Sequence, residues 1–151
     1  IVTGVLGAQN LLERDNGFKR AINPQIRVLP QQADNGDKAR AVEIAENVLI
    51  AHPEVRAFFT DNAIAGPGVG QALKSRRREG KVKLIAMDVT PDLLKLLKEG
   101  VADALIAQQP EKMGELAVET LVKAATGQKI PPIIDTGVTV VTRSEIAKSQ
   151  H

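Results

Sequence analysis

The stretch Glu46-Asn47-Val48-Leu49-Ile50-Ala51-His52-Pro53-Glu54-Val55-Arg56-Ala57-Phe58-Phe59-Thr60-Asp61-Asn62 decides how the chain is read. Val48 and Leu49 continue an apolar face begun by Ala41, Ile44 and Ala45, the spacing of a helix that runs from Asp37 to His52. Pro53 stops it, because proline offers no N–H to the next helical turn. Val55 to Phe59 is β-branched and aromatic and reads as a strand that ends on the polar Thr60-Asp61-Asn62. A helix, a stop, an apolar strand and a polar strand end are the rhythm of a parallel α/β unit.

Working outward, the rhythm repeats. Upstream lie an apolar run Ile1 to Val5, a helix from about Asn10 to Ile22, and a short run Ile26 to Leu29, closed by Pro30, that is predicted as the second strand. Ala33-Asp34-Asn35-Gly36 is the turn before the helix at Asp37. Downstream, a helix from Asn62 to Arg78 leads to a strand Lys83 to Met87. Pro91 then opens a helix to Lys98, at the position it favours. Ala104 to Ala107 is a further strand, Glu111 to Ala125 a helix closed by Gly127, and Val138 to Thr142 a last strand before a tail helix. Thr126 to Asp135, with Pro131-Pro132, is the linker-like stretch. The predicted fold class is α/β, a doubly wound, mostly parallel sheet with helices on both faces.

Composition narrows the chemistry. At 151 residues, 43% hydrophobic and 25% charged, the chain has material for one globular core and no apolar run long enough to span a bilayer. It has no Cys and two His, which leaves no thiolate nucleophile and no donor set for zinc or an iron–sulfur cluster. No metal and no cofactor are expected. Three Phe, no Tyr and no Trp leave few platforms for stacking nucleic-acid bases, and a formal charge of +2 is no nucleic-acid footprint. The chain opens inside an apolar run on Ile1-Val2 without an initiating Met, the look of a processed or truncated piece.

In open α/β sheets ligands bind beyond the carboxyl ends of the strands. Those positions hold Gln9, Asn10 and Arg14, then Asp34 and Asn35, Asp61 and Asn62, Asp88, and Gln108. All can hydrogen-bond and none is a strong nucleophile. Carboxylates, amides and one Arg suit a ligand rich in hydroxyls, because each hydroxyl both donates and accepts. Each residue also has a structural reading, since Asn and Asp commonly cap helices and form turns.

Other motifs carry less. Gly66-Pro67-Gly68-Val69-Gly70 lacks the spacing of a phosphate loop and reads as close helix packing. Lys74-Ser75-Arg76-Arg77-Arg78 lies at a helix C-terminus, where cations complement the helix dipole and stay solvated. Neither a serine-hydrolase elbow nor a paired-carboxylate motif is present, so no catalytic residue is assigned and no enzymatic activity is expected.

Taken in order, Glu46 to Asn62, Asp88-Val89-Thr90-Pro91-Asp92, Lys98-Glu99-Gly100 and Ala107-Gln108-Gln109-Pro110 through Met113-Gly114 resemble the C-terminal half of ribose-binding-type (type I) periplasmic sugar-binding proteins of ABC importers. Gly7-Ala8-Gln9-Asn10, with Arg14, Gly17 and Phe18, is similar to the opening of that family's C-terminal lobe. The resemblance covers nearly all of this chain and about half of the family's. It implies a hinged two-lobe receptor that closes on a monosaccharide, with Arg14, Asn62, Asp88 and Gln108 as ligand-binding residues and a membrane permease as partner; Asn10 and Asn35, polar residues at the strand ends, complete the expected ligand-binding set. Residues 1–108 would form the C-terminal-type lobe, 109–136 a crossover helix and linker belonging to the other lobe, and 137–151 the return strand and tail helix.

With that lobe absent, the helix 111–125 would expose Met113, Leu116, Ala117, Thr120, Leu121 and Ala124, and a homodimer through this face is expected. The implied location is the periplasm, or the outer face of the membrane in a bacterium without an outer membrane. Three departures stand out: Asn35-Gly36 replaces an aromatic and looks like a one-residue insertion, Ala63 replaces an Asp, and Gln109 replaces an aromatic, which together imply a changed ligand preference. The runner-up on the same fold is the effector domain of a lactose-repressor-type regulator; those domains usually carry Gly-Phe-Asp-Asp where this chain has Ala86-Met87-Asp88-Val89. A flavodoxin-like enzyme domain is the alternative of another class, weakened by the missing phosphate loop.

Overall fold

Twelve elements follow one another in the computed structural model, which describes residues 1–148. They are β1 (Val2–Thr3), α1 (Gln9–Ala21), β2 (Gln32–Ala33), α2 (Lys38–Ala51), β3 (Ala57–Thr60), α3 (Ala65–Ser75), β4 (Lys83–Met87), α4 (Pro91–Glu99), β5 (Ala104–Gln108), α5 (Pro110–Ala125), β6 (Val138–Thr142) and α6 (Arg143–Lys148). The strands form one sheet in the order β2-β1-β3-β4-β5-β6. All neighbours are parallel except β5 and β6, which run antiparallel. From β1 the chain moves first toward one edge and then back toward the other, so right-handed crossovers put α1 on one face and α2, α3 and α4 on the opposite face.

The two faces are unequal. Val2, Thr60, Ala86 and Leu105 form one row across the sheet, all at or below 1% exposure, beneath α2, α3 and α4. Phe59 and Ile85 share the other face and are only half-buried. Ala41, Ile44, Val69, Leu73, Leu93 and Leu97 complete the core on the well-covered side. The glycine run of α3 works there as packing, in line with the sequence reading: a Cβ on Gly66 would stand 2.7 Å from Leu93, one on Gly68 2.7 Å from the Ala41 Cβ, and one on Gly70 2.5 Å from Leu96. Backbone-to-backbone approach of α3 against α2 and α4 needs residues without side chains.

Helix ends follow the sequence signals. The Asp37 side chain accepts from the Ala39 and Arg40 N–H groups, and the Thr90 hydroxyl accepts from Leu93 N–H. Gly100, at φ 77°, closes α4 in the left-handed conformation. One strand is corrected. The apolar run Ile26 to Leu29 is not in the sheet; β2 is Gln32–Ala33, past Pro30. The register pairs Val2 with Gln32 and Thr3 with Ala33, so Ile26 to Leu29 lie beyond Ile1 with no strand beside them. The predicted helix from Asn62 also starts later, at Ala65, because the Asn62 side-chain oxygen accepts from the Ile64 and Ala65 N–H groups and holds the turn that leads into it.

No residue of α5 is buried, and Met113 and Leu121 of its predicted apolar face are 37% and 69% exposed. The last part of the tail, residues 149–151, lies outside the described residues.

Candidate functional site

Two hydrogen-bonded groups occupy the carboxyl ends of the strands. The first is built on Asp61, fully buried at the end of β3. Its carboxylate accepts from the Thr3 hydroxyl, from Gly4 N–H at 3.2 Å and from the Asn62 amide at 3.2 Å. The same amide nitrogen donates to Asp34 at 3.1 Å, and Asp34, also fully buried, accepts from Gly36 N–H at 2.6 Å. The Asn62 oxygen accepts from the Ile64 and Ala65 N–H groups, each at 2.9 Å, and so starts α3. Asn62 therefore ties β2, β3 and α3 together with both ends of one amide.

The second group is Arg14, Gln108 and Asp88. Arg14 projects from α1 and donates to the Asp61 carbonyl at 2.8 Å and to the Gln108 side-chain oxygen at 3.1 Å. The Gln108 amide, at the last position of β5, donates in turn to Asp88 Oδ1. Asp88 takes φ 71°, a left-handed conformation that Asp tolerates better than most residues, while its N–H donates to Ile106 at 2.9 Å. Asp88 Oδ2 and the remaining guanidinium N–H groups of Arg14 have no partner among the described residues, and Arg14, Asp88 and Gln108 are all half-buried. A charged donor, a two-way amide and a carboxylate thus stand in one chain at an open surface.

Of the six residues chosen from the sequence, Arg14, Asn62, Asp88 and Gln108 belong to these two groups, joined through Asp61. Asn10 and Asn35 do not join them. Asn10 is exposed in the first turn of α1, and Asn35 is exposed at φ 56° ahead of Gly36 at φ 75°, the paired left-handed turn that Asn-Gly readily forms. Sequence reasoning placed Asp61 at a strand end but missed its organising role and that of Thr3. The signal available was an Asp directly before Asn62; two of its partners, Thr3 and Gly4, come from β1 and the residue after it, far away in the chain.

Asp15, next to Arg14 on α1, is buried at 1% exposure with Oδ1 unpaired, and its Oδ2 accepts from the Gln31 amide. Burial, reinforced by the Asp61 charge, pushes its carboxyl above the usual carboxylate range. Among the described residues no three acidic or His side chains gather to hold a metal ion. None of the three Phe belongs to these two groups: Phe58 is in the core, and Phe18 and Phe59 stack with centroids 4.8 Å apart and planes at 6°.

The family model described as periplasmic binding protein domain matches residues 1–129. The chain belongs to the periplasmic binding protein family. It is 34% identical to the ribose import binding protein RbsB of Haemophilus influenzae over 140 residues, 92% of this chain and 47% of that protein. It is 30% identical to the D-allose-binding periplasmic protein of Escherichia coli, over 88% of this chain and 43% of that one. Among solved periplasmic binding proteins, a solute-binding protein of an ABC transporter from Burkholderia graminis, in complex with D-arabinose, superimposes with a TM-score of 0.88 at 40% identity. That match covers 96% of this chain and 52% of the other. GanP, a glucose-galactose binding protein from Geobacillus stearothermophilus, gives 0.92 at 28% identity, again over 96% and 52%.

The chain thus spans about half the length of these four proteins, which are named for ribose import, D-allose binding and glucose-galactose binding or solved with D-arabinose bound. Among the described residues no helix is long and apolar enough to cross a membrane.

Proposed function

We propose that this chain is one lobe of the solute-binding component of an ABC sugar importer, and that it takes a monosaccharide or related polyol against the carboxyl ends of its strands. The observation that carries this reading is the Arg14–Gln108–Asp88 chain, with an unpaired carboxylate oxygen at one end and unpaired guanidinium N–H groups at the other. A sugar hydroxyl can donate to the first and accept from the second. Each such charge-assisted bond contributes about 1.5–3 kcal/mol once water is excluded. Asn62 would meet a hydroxyl only in exchange for its bond to Asp34 or Asp61, whereas Asn10 and Asn35 would reach the ligand from the rim.

Residues 1–108 form the ligand-binding lobe in this reading, and 109–136 cross to the other lobe before the strand at 138 returns. Two features support it. Gln108 and Val138 are paired, so the chain leaves and re-enters the sheet at one edge, and the intervening α5 buries none of its residues. Lobe closure would remove the sugar from water and signal the membrane permease from the periplasmic side, or from the outer face of a single-membrane cell. No turnover of the ligand enters this scheme. In the isolated half, the exposed face of α5 would favour a homodimer.

A thermal-shift screen of pentoses, hexoses and polyols on the longer polypeptide tests the reading. At least one sugar is expected to raise Tm, and Asp88→Ala to abolish that rise. An unchanged rise in the variant would remove Asp88 from the site, and a panel without any response would contradict sugar binding.

A further inference from the structure

Helix α1 carries Arg14, the charged donor of the ligand face, and few of its residues anchor it. Only Leu11 and Asp15 are buried, and Phe18 stacks on Phe59 farther along. The N-cap, Ala8, offers no side-chain acceptor, and no acidic residue stands in the first turn. Asp15-Asn16-Gly17, directly after Arg14, is a run of poor helix formers. The position of Arg14 against the Asp61 carbonyl and the Gln108 side chain therefore depends on how Leu11 and Asp15 sit on the sheet.

Of these anchors Asp15 is the one that can change its charge. Its Oδ2 accepts from the Gln31 amide, while Oδ1 is enclosed without a hydrogen-bond partner. A neutral carboxyl in that setting forgoes one hydrogen bond; a carboxylate there is a buried charge with a single neutral donor, which costs far more. The charged groups around it are Asp61 at the end of β3, Lys19 one turn along α1, and the Ile1 ammonium ahead of β1. Burial is the largest influence and Asp61 the next. Both disfavour the carboxylate, against the weaker pull of Gln31 and the two cations.

We propose that Asp15 is a proton-linked positioning residue: with its proton it keeps α1 seated and Arg14 on Asp61 and Gln108, and when it ionises α1 lifts to bring Oδ1 to water and Arg14 loses its place. The two residues are adjacent, so one moves with the other. Because the folded carboxyl titrates above its ordinary range, the seated form is complete below the unfolded value of about 4 and is lost as pH rises through the higher folded one. The consequence for sugar, a grip that weakens as pH rises, rests on the reading of Arg14–Gln108–Asp88 as the sugar face; the tie between Asp15 and Arg14 does not.

NMR titration of the 151-residue chain between about pH 4 and about pH 8 tests that tie, following the Asp15 carboxyl carbon and the order parameter of the Arg14 Nε–H group. The order parameter is expected to be high at low pH and to fall through the same midpoint as the carboxyl, and in Asp15→Asn to stay high throughout. An Arg14 side chain that stays ordered while Asp15 ionises would overturn the proposal, as would an Asp15 midpoint in the ordinary carboxylate range. Both signals are read in the wild-type chain, so the result holds even if Asp15→Asn does not fold. With a sugar that binds, affinity should fall roughly tenfold across the Asp15 midpoint in the wild-type chain and change by less than about twofold in Asp15→Asn. Equal pH profiles in the two would overturn the proposal. If no sugar binds, the sugar reading fails by itself and the Arg14 order parameter still decides the tie.

Discussion

Asp88 and Asp15 are two carboxylates whose surroundings give them opposite uses. Asp88 is half-buried with one oxygen free, so its loss should affect binding far more than folding. Asp15 is buried with Oδ1 unpaired, and its raised pKa means that folding favours the protonated acid. Its contribution is therefore complete below the unfolded pKa of about 4 and is lost as pH rises through the higher folded value. Asp15→Asn should raise Tm by several degrees at pH 7, with an advantage that shrinks below pH 4. A Tm difference independent of pH would show that the Asp15 carboxyl does not titrate in this way. At Gly68 the limit is space. A methyl group 2.7 Å from Ala41 and 2.8 Å from the Lys38 carbonyl forces α3 away from α2, so Gly68→Ala should cost about 1–3 kcal/mol in chemical denaturation. An unchanged midpoint would show that the two helices can move apart freely.

The elements differ in how far the sequence reveals them. Helices α2, α3 and α4 were legible, because Ala41, Ile44, Leu73, Leu93 and Leu97 repeat at helical spacing and Pro53, Pro91 and Gly100 mark the ends. The second strand was not. Ile26 to Leu29 has the composition of a strand, while Gln32–Ala33 does not, and the choice between them is made by pairing with β1 rather than by local preference. The site was half legible for the same reason. Arg14, Asp88 and Gln108 announce themselves as polar residues after strands, but the tie between Thr3 and Asp61 exists only once β1 and β3 are side by side. Helix α5 was visible as a helix and as a surface awaiting cover. With no buried residue and its apolar side chains in water, it should open on its own. Hydrogen exchange is expected to run orders of magnitude faster in residues 113–125 than in 69–75, and equal protection would mean that α5 is docked in solution.

At the scale of the molecule, the unequal faces and the uncovered α5 fit a chain that spans about half the length of the relatives compared above. An open half leaves the Arg14–Gln108–Asp88 chain in contact with water, where competing hydrogen bonds weaken each contact to a hydroxyl. Closure by a second lobe would exclude that water. The low aromatic content belongs to the same picture: the three Phe are committed to the core and to the back of the sheet, so stacking surfaces for a sugar ring would have to come from elsewhere. Calorimetric titration of a responsive sugar into this chain and into the longer polypeptide is the most direct test. Sugar binding by one lobe of a two-lobe receptor requires a clear heat of binding in the longer polypeptide, a much weaker constant in the 151-residue chain, and loss of both on Asp88→Ala. Equal constants in the two, or binding that survives Asp88→Ala, would contradict it.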